Sequence, residues 1–479
     1  MIEKNFEAYK TEGFYDEMFD SAGLVRPEYA LIKERLEKMG RKKLNHLQHS
    51  TDRVQLSLGM TFNVYSDKQG VERILHLDII PRIIKSAEWD HLERGLEQRI
   101  YALNKFVHDV YNEGKILKDK IVPEDMIRSC TSYLKQCEGL KPPENIWAHI
   151  SGSDLIRGGD GTYFVLEDNL RCPSGVSYLL ENREILKRTF PEIFEKLQVR
   201  PVYNYTHFLR TMLESLSTND TQTIAVMSPG IYNSAYFEHA YLAQQMGAEL
   251  VEGNDLVVKD DFVYMITTGG LQRVDVIYRR IDDAYLDPKS FRADSMLGTP
   301  GLFESYRKGK VVLVNAPGTG IADDKAIYSY VPRIIKYYTG QDAIIPNVET
   351  FICSEPQDLK YVLENVHELV VKQTDGSGGY GMLIGPASTK AEQNEFREKL
   401  KANPRNYIAQ PVISLSRVPT ITGNDIEGRH VDLRPYVLYG KEGIKIVPGA
   451  LTRVALKKGS LVVNSSQGGG SKDTWVLNK

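Results

Sequence analysis

Three oxygen-bearing side chains, Asp154, Glu167 and Asn169, fall at hairpin spacing in the first half of the chain. Residues 153–157 and 162–167 each read as a short strand, and Gly158-Gly159-Asp160-Gly161 between them is a strong turn signal. Pairing across that turn brings Asp154 near the Glu167 end. Asn169, two residues on, points the same way if the strand continues. Two carboxylates and an amide oxygen on one face suit Mg²⁺, which takes few protein oxygens and completes its shell with phosphate and water. Asp160 competes with Asp154 for this role, and an exposed hairpin with polar tips is the plain alternative. Arg171 continues the alternation. Cys172-Pro173-Ser174-Gly175 then breaks the strand, where Ser174 and its neighbours can bring backbone N–H groups to the same site.

A second constellation lies far downstream. Leu369-Val370-Val371 reads as a buried strand that ends at Lys372 and runs into Gly376-Ser377-Gly378-Gly379-Tyr380-Gly381. Four glycines in six positions let backbone N–H groups approach an anion closely, and Lys372 can set an ammonium beside it. The chemistry is a loop over nucleotide phosphates; without an anion the segment is a glycine-rich hairpin turn. It is not a Walker A loop, since no Gly-Lys-Ser/Thr follows. It is not a dinucleotide fingerprint, since a second strand (382–386) follows instead of a helix. Lys325 opens a helix, where a cation opposes the macrodipole and an anionic partner would relieve it; Asp323 or Asp324 can cap that helix. Residues 407–413 read as a strand running into a turn, and the backbone around Gln410, Pro411 and Val412 can pair with an adenine edge.

The elements that must position these groups form an α/β (mixed α+β) chain. Residues 1–60 read as mostly helical, 61–65 and 73–80 as strands with Pro81 ending the second, and 88–111 as a long amphipathic helix with a solvated charged face. From Thr223 the pattern alternates strand and helix (223–227, 249–252, 274–278, 311–315), which implies an open parallel sheet with ligands at its C-terminal strand ends. Asn233 and Ser234 lie there, as do Arg279 and Arg280, which suit an anionic or zwitterionic substrate unless Asp282 and Asp283 simply pair with them. Residues 451–456 and 460–464 read as a hairpin, and 464–470 as a second glycine-rich site loop. The domain reading is a helical segment 1–70, a portion 71–215 carrying the metal hairpin, an α/β substrate domain 216–320 and a nucleotide portion 321–479.

The balance of 60 Lys+Arg against 63 Asp+Glu carries no nucleic-acid footprint. No apolar run reaches the roughly 20 residues of a membrane span, and the first residues lack a signal-peptide core. Four scattered cysteines without ligand spacing read as reduced thiols, which places the chain in the cytoplasm. The expected partner is a small molecule or peptide, with self-association left open.

Together these residues resemble a known superfamily. Lys325, the 371–382 loop and 407–413 are similar to the nucleotide half of an ATP-grasp enzyme, and Glu167-Asp168-Asn169-Leu170-Arg171 resembles its Glu-x-Asn-x-Arg metal strand. That strand usually comes last; here it comes first. The chain therefore resembles the circularly permuted ATP-grasp family, related to glutathionylspermidine synthase, from about Asp78 onward, including the phrases 232–239, 274–283, 429–435 and 462–470. The resemblance implies an ATP- and Mg²⁺-dependent ligase that activates a carboxylate as an acyl phosphate. Asp154, Glu167 and Asn169 would hold metal, Lys325 and Lys372 would contact phosphates, and Arg171 and Arg453 would steady the anionic states. The arginine that precedes the first metal aspartate in glutathionylspermidine synthase has no counterpart at Gly152 or Ser153, so its substrates do not carry over. A small-molecule kinase, or an inactive nucleotide-binding scaffold, are the other readings of this set.

Overall fold

Apolar alternation in segments from the two ends of the chain converges on a single sheet. The computed structural model describes residues 5–64, 71–217, 219, 222–376, 381–423, 425–464 and 468–479. Its largest sheet has six strands, in the order Leu77–Ile84, Gly470–Val476, Gly443–Val454, Arg434–Gly440, Ile150–Arg157 and Tyr163–Asn169. The first two run parallel and every other neighbour pair is antiparallel. Neighbouring residues in these strands enter different cores: Val437, Ile446, Ala450 and Val476 pack with one, and Leu438, Val447, Leu451 and Trp475 with the other. This is the period of two expected of a sheet buried on both faces. Helix Ser86–Tyr111 supplies Leu92, Leu96, Leu103 and Phe106 to the first core, and helix Val176–Thr189 supplies Leu179 and Leu186 to the second.

The α/β part forms a four-stranded, all-parallel sheet in the order Val312–Val314, Val276–Arg279, Ile224–Met227, Glu249–Val251, as the alternation predicts. An antiparallel three-stranded unit (Leu256–Lys259, Phe262–Thr267, Gly270–Arg273) is inserted into it. A third, four-stranded antiparallel sheet (Phe351–Ile352, Tyr407–Pro411, Leu369–Gln373, Leu383–Ile384) carries the nucleotide-type strands over a small core of its own that includes Cys353, Val362, Leu369, Val371 and Leu400.

Several expectations are corrected. Residues 5–26 are not helical. A helix begins only at Ala30 and runs to Ser57, broken at Gly40 (φ 68°). The preceding segment is instead pinned by buried Glu17, which bridges to Arg82 (2.6 Å) and Arg157 (2.9 Å) of the large sheet. Pro81 does not end its strand. Leu77–Ile84 lies at the edge of the sheet, where a missing N–H is tolerated. The hairpin expected around Gly459 does not form: Leu451–Val454 pair with Gly470–Asp473. The polar face of the long helix is not simply solvated, because its Arg99 is buried and bidentate on Asp168. Among the described residues no helix is long and apolar enough to cross a membrane.

Candidate active site

The three sheets meet around a cleft of about 620 Å³. The hairpin forms as the turn chemistry demands, and its register sets Asp154 directly opposite Glu167, and Gly152 opposite Asn169. Asp168, which points the other way, anchors the strand: it takes two bonds from Arg99 Nε (2.8 and 2.9 Å), one from Arg99 Nη2 (2.7 Å) and one from Ser153 Oγ (2.8 Å). Asp154, Glu167 and Asn169 all line the cleft. Asp160 does not: it sits exposed in the turn, accepting from Thr162 N and Oγ1 (2.9 Å each).

Asp154 is buried and neutralised on the spot. Arg434 reaches both of its oxygens (2.5 and 2.7 Å), and Arg453 Nη2 reaches Oδ2 (2.6 Å). Burial opposes ionisation here, but these two guanidiniums outweigh it and hold the carboxyl well below the usual range. Arg453 is itself held by buried Asp432, with Nε at 2.9 Å. Glu167 is more open, with Lys325 Nζ at 3.4 Å and Arg434 at 4.0 Å. Asn169 Nδ2 is buried and has no hydrogen-bond partner. No cluster of three His, Cys, Asp or Glu side chains able to enclose an ion occurs among the described residues. The half-open carboxylate of Glu167 and the amide oxygen of Asn169, with Asp154 held by its arginines behind them, are hard oxygens of the type that would fit Mg²⁺ shared with phosphate.

Asp324, not Asp323, caps the short helix Lys325–Tyr328, accepting from Ala326 N (2.8 Å) and Ile327 N (3.2 Å). Asp323 faces the cleft instead, and burial pushes its carboxyl up to about 7, against the pull of Arg171. Lys325 Nζ donates to Gly376 O (2.7 Å) as well as facing Glu167. Lys372 Nζ donates to Gln410 Oε1 (2.7 Å), and burial, then the neighbouring Lys325, bring its ammonium down to about 8 against the attraction of Glu167. Gly381 has φ +67°, and a Cβ there would meet Gln373 Oε1 at 2.6 Å. Ser377, Gly378 and Gly379 lie outside the described residues. Gln410, Pro411 and Val412 line the cleft beside Val348, Val370, Ile384 and Ile413, an apolar slot at the end of the hinge strand. Asn464, from the second glycine-rich segment, closes the same cleft.

At the opposite end, Arg171 bridges to Asp282 (2.7 Å). Ser174, Asn233, Ser234 and Arg280 line this part. Arg279 is not brought to it. Its guanidinium is fully buried among Asn315 O (2.6 Å), Ile281 O (2.9 Å) and Asp283 (2.6 Å), a bracket between strands of the parallel sheet. The N–H groups expected after Cys172 are also engaged: Gly175 N (2.7 Å) and Ser177 N (3.1 Å) donate to the buried carboxylate of Glu238, which Arg280 meets at 2.9 Å. Sequence reasoning missed Arg434, Asp432, Glu238 and His239. Residues 430–437 alternate polar and apolar, which sets Asp432 and Arg434 on one face, but no local signal ties either to Asp154, 280 residues away in the case of Arg434.

Comparisons with known proteins follow this geometry. The family described as "Circularly permuted ATP-grasp type 2" matches residues 81–455. An uncharacterised protein of Synechocystis sp. is 55% identical over 98% of each chain, and one of Mycobacterium tuberculosis is 47% identical over 99% of this chain and 87% of its own. A Frankia alni protein named "Putative glutamate--cysteine ligase 2-3" is 41% identical over 98% of this chain, which spans only 54% of that protein. A solved glutathione synthetase-like effector from Globodera pallida superimposes with a TM-score of 0.58, covering 90% of this chain and 96% of its own, at 11% identity, a likeness of fold.

Proposed function

Because the chain belongs to the circularly permuted ATP-grasp family, we propose that it is an ATP-dependent ligase joining a carboxylate to an amine or thiol through an acyl phosphate, with an amino acid or small peptide as the acid. The observation that supports this best is the convergence of Glu167, Asn169, Lys325 and Lys372 on one cleft from segments about 200 residues apart in sequence. Around this volume two ammoniums share one half-open carboxylate, Glu167, a surplus of positive charge that suits phosphate oxygens.

In this reading Lys372 and Lys325 hold the nucleotide phosphates, and the slot at Gln410–Val412 takes adenine. Glu167 and Asn169, with Asp154 behind them, would hold Mg²⁺, which when bound neutralises phosphate charge and aligns the transferring phosphoryl group. Arg171 and Arg453 also border the cleft, and in this reading both supply preorganised positive charge to the anionic acyl-phosphate states. The name of the Frankia relative fits a ligase of this type, although the other half of that protein could equally carry the named activity.

ADP release from Mg-ATP in the presence of hydroxylamine, with pooled amino acids and short γ-glutamyl peptides, tests this. Wild type is expected to give hydroxamate. Glu167→Gln is expected to lose at least a hundredfold in rate with its circular dichroism unchanged, since the swap is nearly isosteric and removes a metal charge. A stable phosphorylated product without hydroxamate would instead mark a kinase. Unfolding of the variant would count against the site.

A further inference from the structure

One wall of the adenine slot is held by a part of the chain that precedes residues 81–455, the stretch matched by the family. Residues 412–416, between Tyr407–Pro411 and Arg417–Thr422, belong to no strand, yet Val412, Ile413 and Leu415 line the cleft. Ile413 and Leu415 pack with Ile156, Leu166, Val348 and Leu461, which line it too. This apolar wall is fixed from three sides. On the hairpin side, Arg157 O accepts from Ser416 N (2.9 Å). The N-terminal arm adds a short parallel rung: Tyr15 O accepts from Arg417 N, and Arg417 O from Glu17 N, both at 2.9 Å. Buried His430 holds the Leu415 carbonyl, with Nδ1 at 2.9 Å. A carbonyl can only accept, so the proton of this ring is on Nδ1, and Nε2 is the acceptor that faces Arg417 Nε (3.4 Å). Arg417 lies over the ring of Phe14, 3.8 Å from its centroid, and pairs with Glu12 at 2.5 Å. The same Phe14 ring meets the His430 ring nearly at right angles, with centroids 4.9 Å apart.

Resting on the reading of this slot as the adenine site, we propose that the arm of residues 12–17 is part of the nucleotide site, with Phe14 as its positioning residue: through Arg417 and His430 it sets Leu415 and Ile413 against the base. Phe14 itself is not in the cleft lining. Without its ring, Arg417 keeps the half-exposed Glu12 but loses the stack, and His430 loses the neighbour that braces it against Leu415 O. A wall that must be ordered when the base arrives costs affinity that a wall already ordered does not. Lys325 and Lys372 stand on other elements, so the loss falls on the base and not on the phosphates.

Calorimetric titration of the full chain with Mg-ATP and with Mg-tripolyphosphate, which has no base, tests the proposal. Wild type is expected to bind ATP the tighter. Phe14→Ala should weaken ATP about tenfold and leave tripolyphosphate within about twofold, whereas Phe14→Tyr, which keeps the ring, should match wild type. If Phe14→Ala fails to fold, Glu12→Gln, which removes only a half-exposed partner of Arg417, should weaken ATP alone by about threefold. A Phe14→Ala variant that melts lower yet keeps the wild-type ratio of the two affinities, or that loses both ligands equally, would overturn the proposal, since an arm that serves the fold alone does just that. Tripolyphosphate binding to wild type as tightly as ATP would remove the adenine reading of the slot and the proposal with it. Missing hydroxamate, with Phe14→Ala still selective against ATP, would sink the ligase reading and not this one.

Discussion

Replacing Asp154 by Asn changes one atom, yet it should destabilise the protein more than Glu167→Gln, its neighbour across the hairpin. The Asp154 carboxylate is 1% exposed and holds two guanidiniums, Arg434 at 2.7 Å and Arg453 at 2.6 Å. Removing its charge leaves both cations buried, with Asp432 on Arg453 and only the more distant Glu167 (4.0 Å) near Arg434, and breaking a buried pair in this way costs about 3–5 kcal/mol. Glu167 is 28% exposed and pairs loosely with Lys325 at 3.4 Å, an arrangement contributing about 0–1 kcal/mol. With an unfolding entropy of about 2.1 cal/mol/K per residue, 479 residues unfolding together give roughly 1 kcal/mol/K. Asp154→Asn should then lower the melting temperature by about 3–5 °C and Glu167→Gln by at most about 1 °C. Scanning calorimetry on both variants reads this directly. Asp154→Asn combined with Arg434→Met should recover part of the loss, because the stranded cation goes with it. Asp154→Asn melting within a degree of wild type, or the two variants falling equally, would refute the buried-charge argument.

Lys372 gives a pH dependence. Its folded ammonium titrates at about 8, below the ordinary value of 10.5, so the fold binds fewer protons than the unfolded chain between those pH values. Stability from this group therefore rises from pH 8 to 10.5. Mg-ATP affinity should move the opposite way, weakening about tenfold per pH unit above 8 as the phosphate-facing charge is lost, and Lys372→Met should flatten that profile; a flat profile in wild type would remove Lys372 from the nucleotide site. Gly175→Ala should cost roughly 3 kcal/mol or more, measured by denaturant titration, because φ +112° is strained for alanine and its Cβ would meet Tyr436 Oη at 2.4 Å; a soluble variant of wild-type stability would mean that the Ser174–Ser177 turn relaxes freely.

How far the sequence led depended on how local each signal was. The hairpin around 158–161 and the parallel strands were legible because turn residues and apolar runs act over a few neighbours. Glu167 and Asn169 could be set on one face by the period of two, but Asp154 stands opposite Glu167 only because a bulge next to Leu155 shifts the register of the hairpin by one. What could not be read was pairing at a distance. Residues 460–464 look like the partner of 451–456, but Leu451–Val454 take Gly470–Asp473, and only the sheet as a whole decides that. The same applies to charge. Arg279 and Arg280 are adjacent in sequence and indistinguishable there, yet both are buried on different partners, one on Asn315 O and Asp283 and the other on Glu238 in the cleft wall. Asp323 and Asp324 divide in the same way between cleft and cap.

The strand Gly470–Val476 lies second in the large sheet, between Leu77–Ile84 and Gly443–Val454, and its Lys472 donates to Ile80 O (3.0 Å) across 392 residues of chain. During synthesis the first edge of that sheet leaves the ribosome long before the strand that completes it. At about 5–20 residues per second the wait is roughly 20–80 s, with the apolar faces of the hairpin and of Leu77–Ile84 unpaired throughout. The Asp154 carboxylate likewise waits 280 residues for Arg434 and 299 for Arg453. The first strand of this sheet is thus an open edge through most of synthesis, and the sheet closes by late strands and not by the first half of the chain alone.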